Sequence, residues 1–295
     1  MSEQDDTPPV EETLAWEAEH GPRAAVAAVI AALATFVGGI ISSTALSNQP
    51  HVPVVTALQN AAKPGSDQRP SLRTPQLEYV HDKAGKLILG GVILGIGYFA
   101  LIPALGYLYR ATKARRPQTP RAALYLALVG PALLGVAAIV FQIALTMKAG
   151  DFAASSDHTR KAVDDVTKAG LLRGVQILNL PGTLCLAFAF VMISLNAMRA
   201  GLLTRLLGMV GIGTGVFFIL PLPLFGPLLQ VLFQASLALL LFRAWMGGIP
   251  PAWNTGRAEP WPARQGASRR PAPRPEPTPQ PAGPSEPRRK RKKRH

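Results

Sequence analysis

Six apolar runs, each about twenty residues or longer, decide what class of structure this chain can form. They span residues 24–46, 87–109, 122–147, 171–198, 206–225 and 228–246. A helix rises about 1.5 Å per residue and a bilayer's hydrocarbon core is about 30 Å thick, so about 20 apolar residues make one crossing. The runs lack the polar/apolar alternation of a half-buried strand or a soluble amphipathic helix. The expected fold is therefore all-α, a polytopic transmembrane helix bundle of six spans with disordered cytoplasmic N- and C-terminal tails. Between the last two runs lies LPLPLFGP, residues 220–227, whose three prolines break the helical ladder and turn the chain back.

Orientation follows from where Lys and Arg collect in short loops, because such loops stay cytoplasmic. The loop RATKARRPQTPR, residues 110–121, carries five cations and no acid. With six spans, the connector RAGLLTR at 199–205 and the C-terminal tail fall on the same side, while loops 47–86 and 148–170 mix cations with acids. Both termini are expected in the cytoplasm of a bacterial cell with the bundle in its inner membrane. The seven acids ahead of Arg23 do not reverse this, since acids weigh little in the rule. The first run is too long for a signal-peptide core and follows an acidic leader, so an uncleaved anchor is expected.

A formal net charge of +14 would mark a nucleic-acid binder if it were spread over a soluble domain. It is not spread: residues 251–295 hold twelve Lys and Arg against three Glu, a net +9. The tail runs through RPAPRPEPTPQPAGP, an extended spacer, to Arg288, Arg289, Lys290, Arg291, Lys292, Lys293 and Arg294. Beside a membrane each such cation gains about 1 kcal/mol from anionic lipid, so specific DNA binding is not expected. The domain reading is an acidic tail over 1–23, a membrane domain over 24–246 and a Pro-rich polybasic tail over 247–295. The N-terminal segment is read as mobile or as a short interfacial helix, and Trp245, Trp253 and Trp261 as headgroup-level side chains. In the outer loops, residues 52–62 read as a short amphipathic helix. Thr74 before Pro75 and Asp157 before HTRKAVDDVTKA read as caps of helices feeding the second and fourth spans.

No charged residue or histidine falls at a span centre, which removes bis-histidine haem and intramembrane serine protease chemistry. Arg173 and Arg243 sit near span ends, where they snorkel. Cys185 is the single cysteine, so it offers no intramolecular disulfide and no cysteine metal cluster. Glu78, His81, Asp82, His158, Asp164 and Asp165 in the outer loops are interleaved with Lys and Arg and read as a solvated salt-bridge surface. No cofactor is expected. The polarity left inside the spans is uncharged: Gln142, then Gln176, Asn179 and Thr183, then Gln230 and Gln234. The spacings 176–179–183 and 230–234 place neighbours on one helical face, so these residues form a candidate polar seam between the third, fourth and sixth spans. Either it ties helices together or it binds a small solute or lipid headgroup. GVILG at 91–95 and GIGTG at 211–215 mark close helix crossings.

Over residues 24–262 this layout resembles multi-pass membrane proteins common in GC-rich bacteria, a resemblance that implies no site residues. The basic tail is similar to that of membrane-protein insertases whose tails touch the ribosome. Those insertases carry an Arg in a membrane groove, which no span here supplies. The functional expectation is a non-enzymatic helical bundle whose cationic tail is tethered to anionic lipid. The alternatives are a small-solute or lipid transporter or channel using the amide seam, and a biogenesis or ribosome-associated factor. The expected partners are the lipid bilayer and its anionic lipids, with other membrane proteins or the ribosome as further candidates.

Overall fold

The structure, a computed structural model, describes residues 9–50, 55, 73–157, 159–167, 170–220, 225–245 and 248–259. Its regular elements are all helices: α1 Val10–Leu46, α2 Thr74–Asp82, α3 Ala84–Arg115, α4 Arg121–Ala154, α5 Arg160–Thr167, α6 Gly170–Arg199, α7 Arg205–Ile219, α8 Phe225–Leu241 and α9 Ala252–Thr255. Four of them, α1, α3, α4 and α6, are long and apolar enough to cross a membrane, as in a multi-pass membrane protein. α7 and α8 are apolar but shorter, 15 and 17 residues. The expected helix over 52–62, apart from residue 55, the polybasic residues 288–294 and the rest of the tail beyond Glu259 lie outside the described residues.

The six long or apolar helices pack in a closed ring in chain order, α1–α3–α4–α6–α7–α8 and back to α1, with α3 also touching α6 across the middle. Neighbours run antiparallel: Gly21 of α1 meets Tyr107 of α3 while Gly38 meets Leu94. Small residues set the crossings. A Cβ on Gly91 or Gly95 of α3 would lie 2.6 Å from Gln142 or Ile139 of α4, so these glycines let the two backbones meet. Gly211 and Gly215 of α7 do the same against Ser194 and Ala187 of α6. Both glycine pairs singled out by spacing thus sit at close crossings. Pro22, Pro103, Pro131 and Pro181 all lie inside helices, each removing one ladder hydrogen bond from helices held by their neighbours.

The short α7–α8 hairpin gives the ring two unlike halves. The sixth run, expected over 228–246, ends as a helix at Leu241. There Ala244 N–H donates to Leu239 O and Arg243 N–H to Leu240 O, with Arg243 at φ 60°, a helix stop with a left-handed residue. The fifth run, expected over 206–225, ends as a helix at Ile219, two residues before Pro221. α7 climbs beside α6 from Gly208, against Met198, to Gly215, against Ala187. α7 ends one turn beyond that level, at Ile219, and farther along α6 residues 176–181 are all exposed, around the full circumference of the helix.

Two segments assigned to tails by composition belong to the bundle. α1 starts at Val10, so most of the acidic stretch is continuous helix with the first span. Residues 248–259 fold back over the end of the ring where α1 begins and α3 ends. Gly256, at φ 66°, lies against Val10 and Leu14, and Glu259 N–H donates to Ala200 O. Trp253 is 8% exposed, packed into the bundle, and its Nε1–H donates to Leu202 O at 2.9 Å. In the outer loops α2 carries proline in its first turn, but Arg73 rather than Thr74 is its cap residue, without a side-chain cap bond, and Thr74 is already helical. Thr159, not Asp157, takes the cap of α5: its Oγ1 accepts from Ala162 N–H, and Asp157 accepts from Thr159 N–H.

Candidate functional site

At the end covered by residues 248–259, the strap, the buried stripe of α1 continues outward from its apolar run. Residues 13, 17, 21, 24, 28, 31, 35 and 38 are all buried, in steps of three and four that keep one helical face inward. That register puts Glu17 inside, 6% exposed, facing Arg115 from the last turn of α3, whose side chain is fully buried. All five guanidinium N–H groups of Arg115 find acceptors. Nη1 donates to Glu17 Oε1 and to Ala111 O, Nη2 to Glu17 Oε2 at 3.1 Å and Ala252 O at 2.7 Å, and Nε to Ala252 O at 3.1 Å. Tyr107 Oη donates to Glu17 O at 3.3 Å. A stack of rings, His20 on Trp16, Trp16 on Tyr107 and Tyr107 on Trp253, closes the cluster.

This cluster ties α1, α3 and the strap into one unit. It is a clasp: with every Arg115 donor engaged, the guanidinium has no N–H left for a ligand. Sequence reasoning treated Glu17 as one acid among seven and Arg115 as an orientation marker. The three-and-four spacing of Thr13, Glu17, Gly21 and Ala24 was the signal that could have found it.

The other half of the bundle holds a cleft of about 440 Å³, between α3, α4 and α6 above the top of the hairpin. Its polar lining is Gln142 from α4, Gln176 and Asn179 from α6, and the Tyr98 ring from α3; Leu94, Leu134 and Phe141 are among its apolar walls. Gln142 is held where Gly91 leaves room for its side-chain carbons, and its Oε1 is buried without a hydrogen-bond partner among the described residues. Gln176 and Asn179 lie on the exposed stretch of α6, so the cleft opens sideways. Pro181 adds to the local polarity, since it has no N–H for the carbonyl of Ile177. Three carboxamides offer donors and acceptors together, and the lining carries no charge. The cleft can grip a polar, uncharged head by hydrogen bonds while hydrocarbon contacts hold the remainder.

The structure thus brings together half of the expected seam. Thr183 is half-buried one turn beyond Asn179 and does not line the cleft. Gln230 and Gln234 lie on α8, which packs between α1 and α7, and they are 2% and 0% exposed. Their Nε2 atoms and Gln234 Oε1 lack partners among the described residues, as do Ser194 Oγ and Thr35 Oγ1. The convergence of the sixth span on the third and fourth is therefore corrected: ring order separates α8 from α4, which spacing along single helices does not encode. Arg173 and Arg243 are both exposed near helix ends. The polybasic candidates 288–294 lie outside the described residues.

Comparison with protein-family models, with curated proteins and with solved structures gives no match.

Proposed function

We propose that this is a non-enzymatic multi-pass membrane protein that binds a small uncharged amphiphile, a lipid or lipid-like solute, in the lateral three-amide cleft. The observation that carries the reading is the buried, unpartnered Gln142 Oε1 in a cleft that also holds Gln176 and Asn179. An unpaired buried acceptor costs about 1–3 kcal/mol, which a donor on a ligand would return. The lining of amides, one phenol and hydrocarbon fits recognition rather than acid–base or nucleophilic catalysis.

The topology that accompanies this reading has six membrane-embedded helices in a bacterial inner membrane, with both termini cytoplasmic. Support comes from the five cations of loop 110–121, which flank the end where α1 begins. At about 1.5 Å per residue, α7 and α8 extend about 22 and 26 Å, less than a full hydrocarbon core. The helices α7 and α8 therefore fall short of a full crossing, which leaves the cleft open to the outer leaflet.

The test is native mass spectrometry of the full chain purified from membranes in mild detergent. A discrete bound species is expected, reduced about tenfold in Gln142→Leu/Gln176→Leu while thermal stability is unchanged or higher. No bound species, or equal retention by both forms, would refute the proposal.

A second role rests on the tail. Seven consecutive cations at 288–294 support tethering to anionic lipid, with ribosomal RNA as the competing polyanion. Co-sedimentation with ribosomes and with phosphatidylglycerol vesicles, with and without residues 288–295, separates the two.

A further inference from the structure

A second cleft lies at the opposite end of the bundle from the amides. It has a volume of about 650 Å³ and is walled by the start of α1, the last turns of α3 and the loop into α4. Three cations line it, Arg110, Lys113 and Arg121, against one acid, Glu12. Trp16 forms part of the wall with the Arg110 guanidinium over its ring, 4.2 Å from the centroid, while Lys113 Nζ lies 6.0 Å from the centroid of Tyr109. None of the three cationic side chains makes a hydrogen bond or ion pair among the described residues. Tyr109, only 4% exposed, also lines the cleft, and its hydroxyl is buried with no hydrogen-bond partner among the described residues.

These features ask for the same ligand. Ring contacts fix where Arg110 and Lys113 sit without using up their N–H groups, so the cations are held in place yet free to donate. Together they leave a net positive cleft with a phenol O–H that needs an acceptor. By contrast, the Arg115 donors a turn away are consumed by Glu17, Ala111 and Ala252, so the clasp and the cleft do separate jobs.

We propose that this cleft binds a phosphate group, with Arg110, Lys113 and Arg121 supplying charge-assisted hydrogen bonds and Tyr109 Oη a fourth donor. The site is independent of the amide cleft. A phosphate could arrive on a phospholipid headgroup of the adjacent leaflet or on a soluble phosphate ester. The experiment uses the full chain in nanodiscs and compares wild type with Lys113→Gln/Arg121→Gln and with Tyr109→Phe, the tail being intact in all. In one arm, phosphatidylglycerol is diluted into phosphatidylcholine, and the phosphatidylglycerol retained through a high-salt wash is counted by native mass spectrometry. In the other, phosphatidylcholine nanodiscs are titrated with glycerol 3-phosphate and followed by phosphorus NMR. Binding in the first arm identifies a lipid headgroup, and binding in the second a soluble ester. In either case the double variant should lose about tenfold or more in affinity, and Tyr109→Phe, which keeps the packing, about fivefold. The proposal is overturned if neither arm binds, or if Tyr109→Phe binds as wild type does at unchanged melting temperature.

Discussion

Glu17 and Arg115 should be strongly coupled in stability, because they form an ion pair inside a buried cluster. Replacing Glu17 with Leu strands a fully buried guanidinium with two of its five donors unmatched. Replacing Arg115 with Met strands a carboxylate 6% exposed and also frees Ala252 O from both its guanidinium donors. Breaking a buried pair from one side costs about 3–5 kcal/mol. In the double variant no charge is stranded, and the loss shrinks to the Ala252 and Ala111 carbonyls losing their Arg115 donors, about 1–3 kcal/mol, with Ala252 O still accepting from Gly256 N–H. Even at the lower bound, the single losses sum to about 6 kcal/mol against about 3 in the double, a coupling of about 3 kcal/mol. Equilibrium unfolding in mixed micelles, followed by tryptophan emission, measures this cycle, since Trp16 and Trp253 sit in the ring stack beside the pair. Additive single losses, within about 0.5 kcal/mol, would refute the clasp.

Arg243→Gly should stabilise the bundle by up to about 1 kcal/mol, because glycine takes the left-handed conformation of the α8 stop without a Cβ clash; a melting temperature equal to or below wild type would contradict this. Gly130→Ala should cost about 1–3 kcal/mol, since its Cβ would stand 2.5 Å from the Leu186 backbone nitrogen. Gly174→Ala, with open space around it, should be neutral or gain up to about 1 kcal/mol in the same unfolding assay. Removing residues 288–295 should weaken binding to anionic vesicles most at low salt and leave the unfolding midpoint unchanged.

Helix type and the centres of the apolar runs were legible because long apolar sequences admit few alternatives in a membrane. The glycine pairs were legible too, since four-residue spacing brings small residues to one face. The ends were not. Composition separates the acidic N-terminal stretch from the first span, but burial follows helical register, and one inward stripe runs from Thr13 through Glu17 to Ala31. Likewise, the sequence around Trp253 reads as the head of a Pro-rich spacer. Its burial depends on Gly201 and Gly256, both at positive φ, which let the strap meet Ala200 and α1 closely. The amide seam was half legible. Gln176 and Asn179 share a face by spacing, and α4 follows α6 in contact, so Gln142 joins them. Gln230 and Gln234 form an equally good pair on a helix that ring order carries elsewhere. The shortness of the α7–α8 hairpin, which opens the cleft, depends on where two helices stop rather than on how apolar they are.

Ligand occupancy of the amide cleft is tested most directly by site-specific photo-crosslinking in native membranes. A benzoylphenylalanine at Phe141, in the cleft wall, is compared with one at Leu33, 58% exposed on α1. The Phe141 position should capture a single class of uncharged amphiphile, lost in Gln142→Leu/Gln176→Leu, while Leu33 captures the bulk lipid mixture. Capture of the same mixture at both positions would contradict that occupancy.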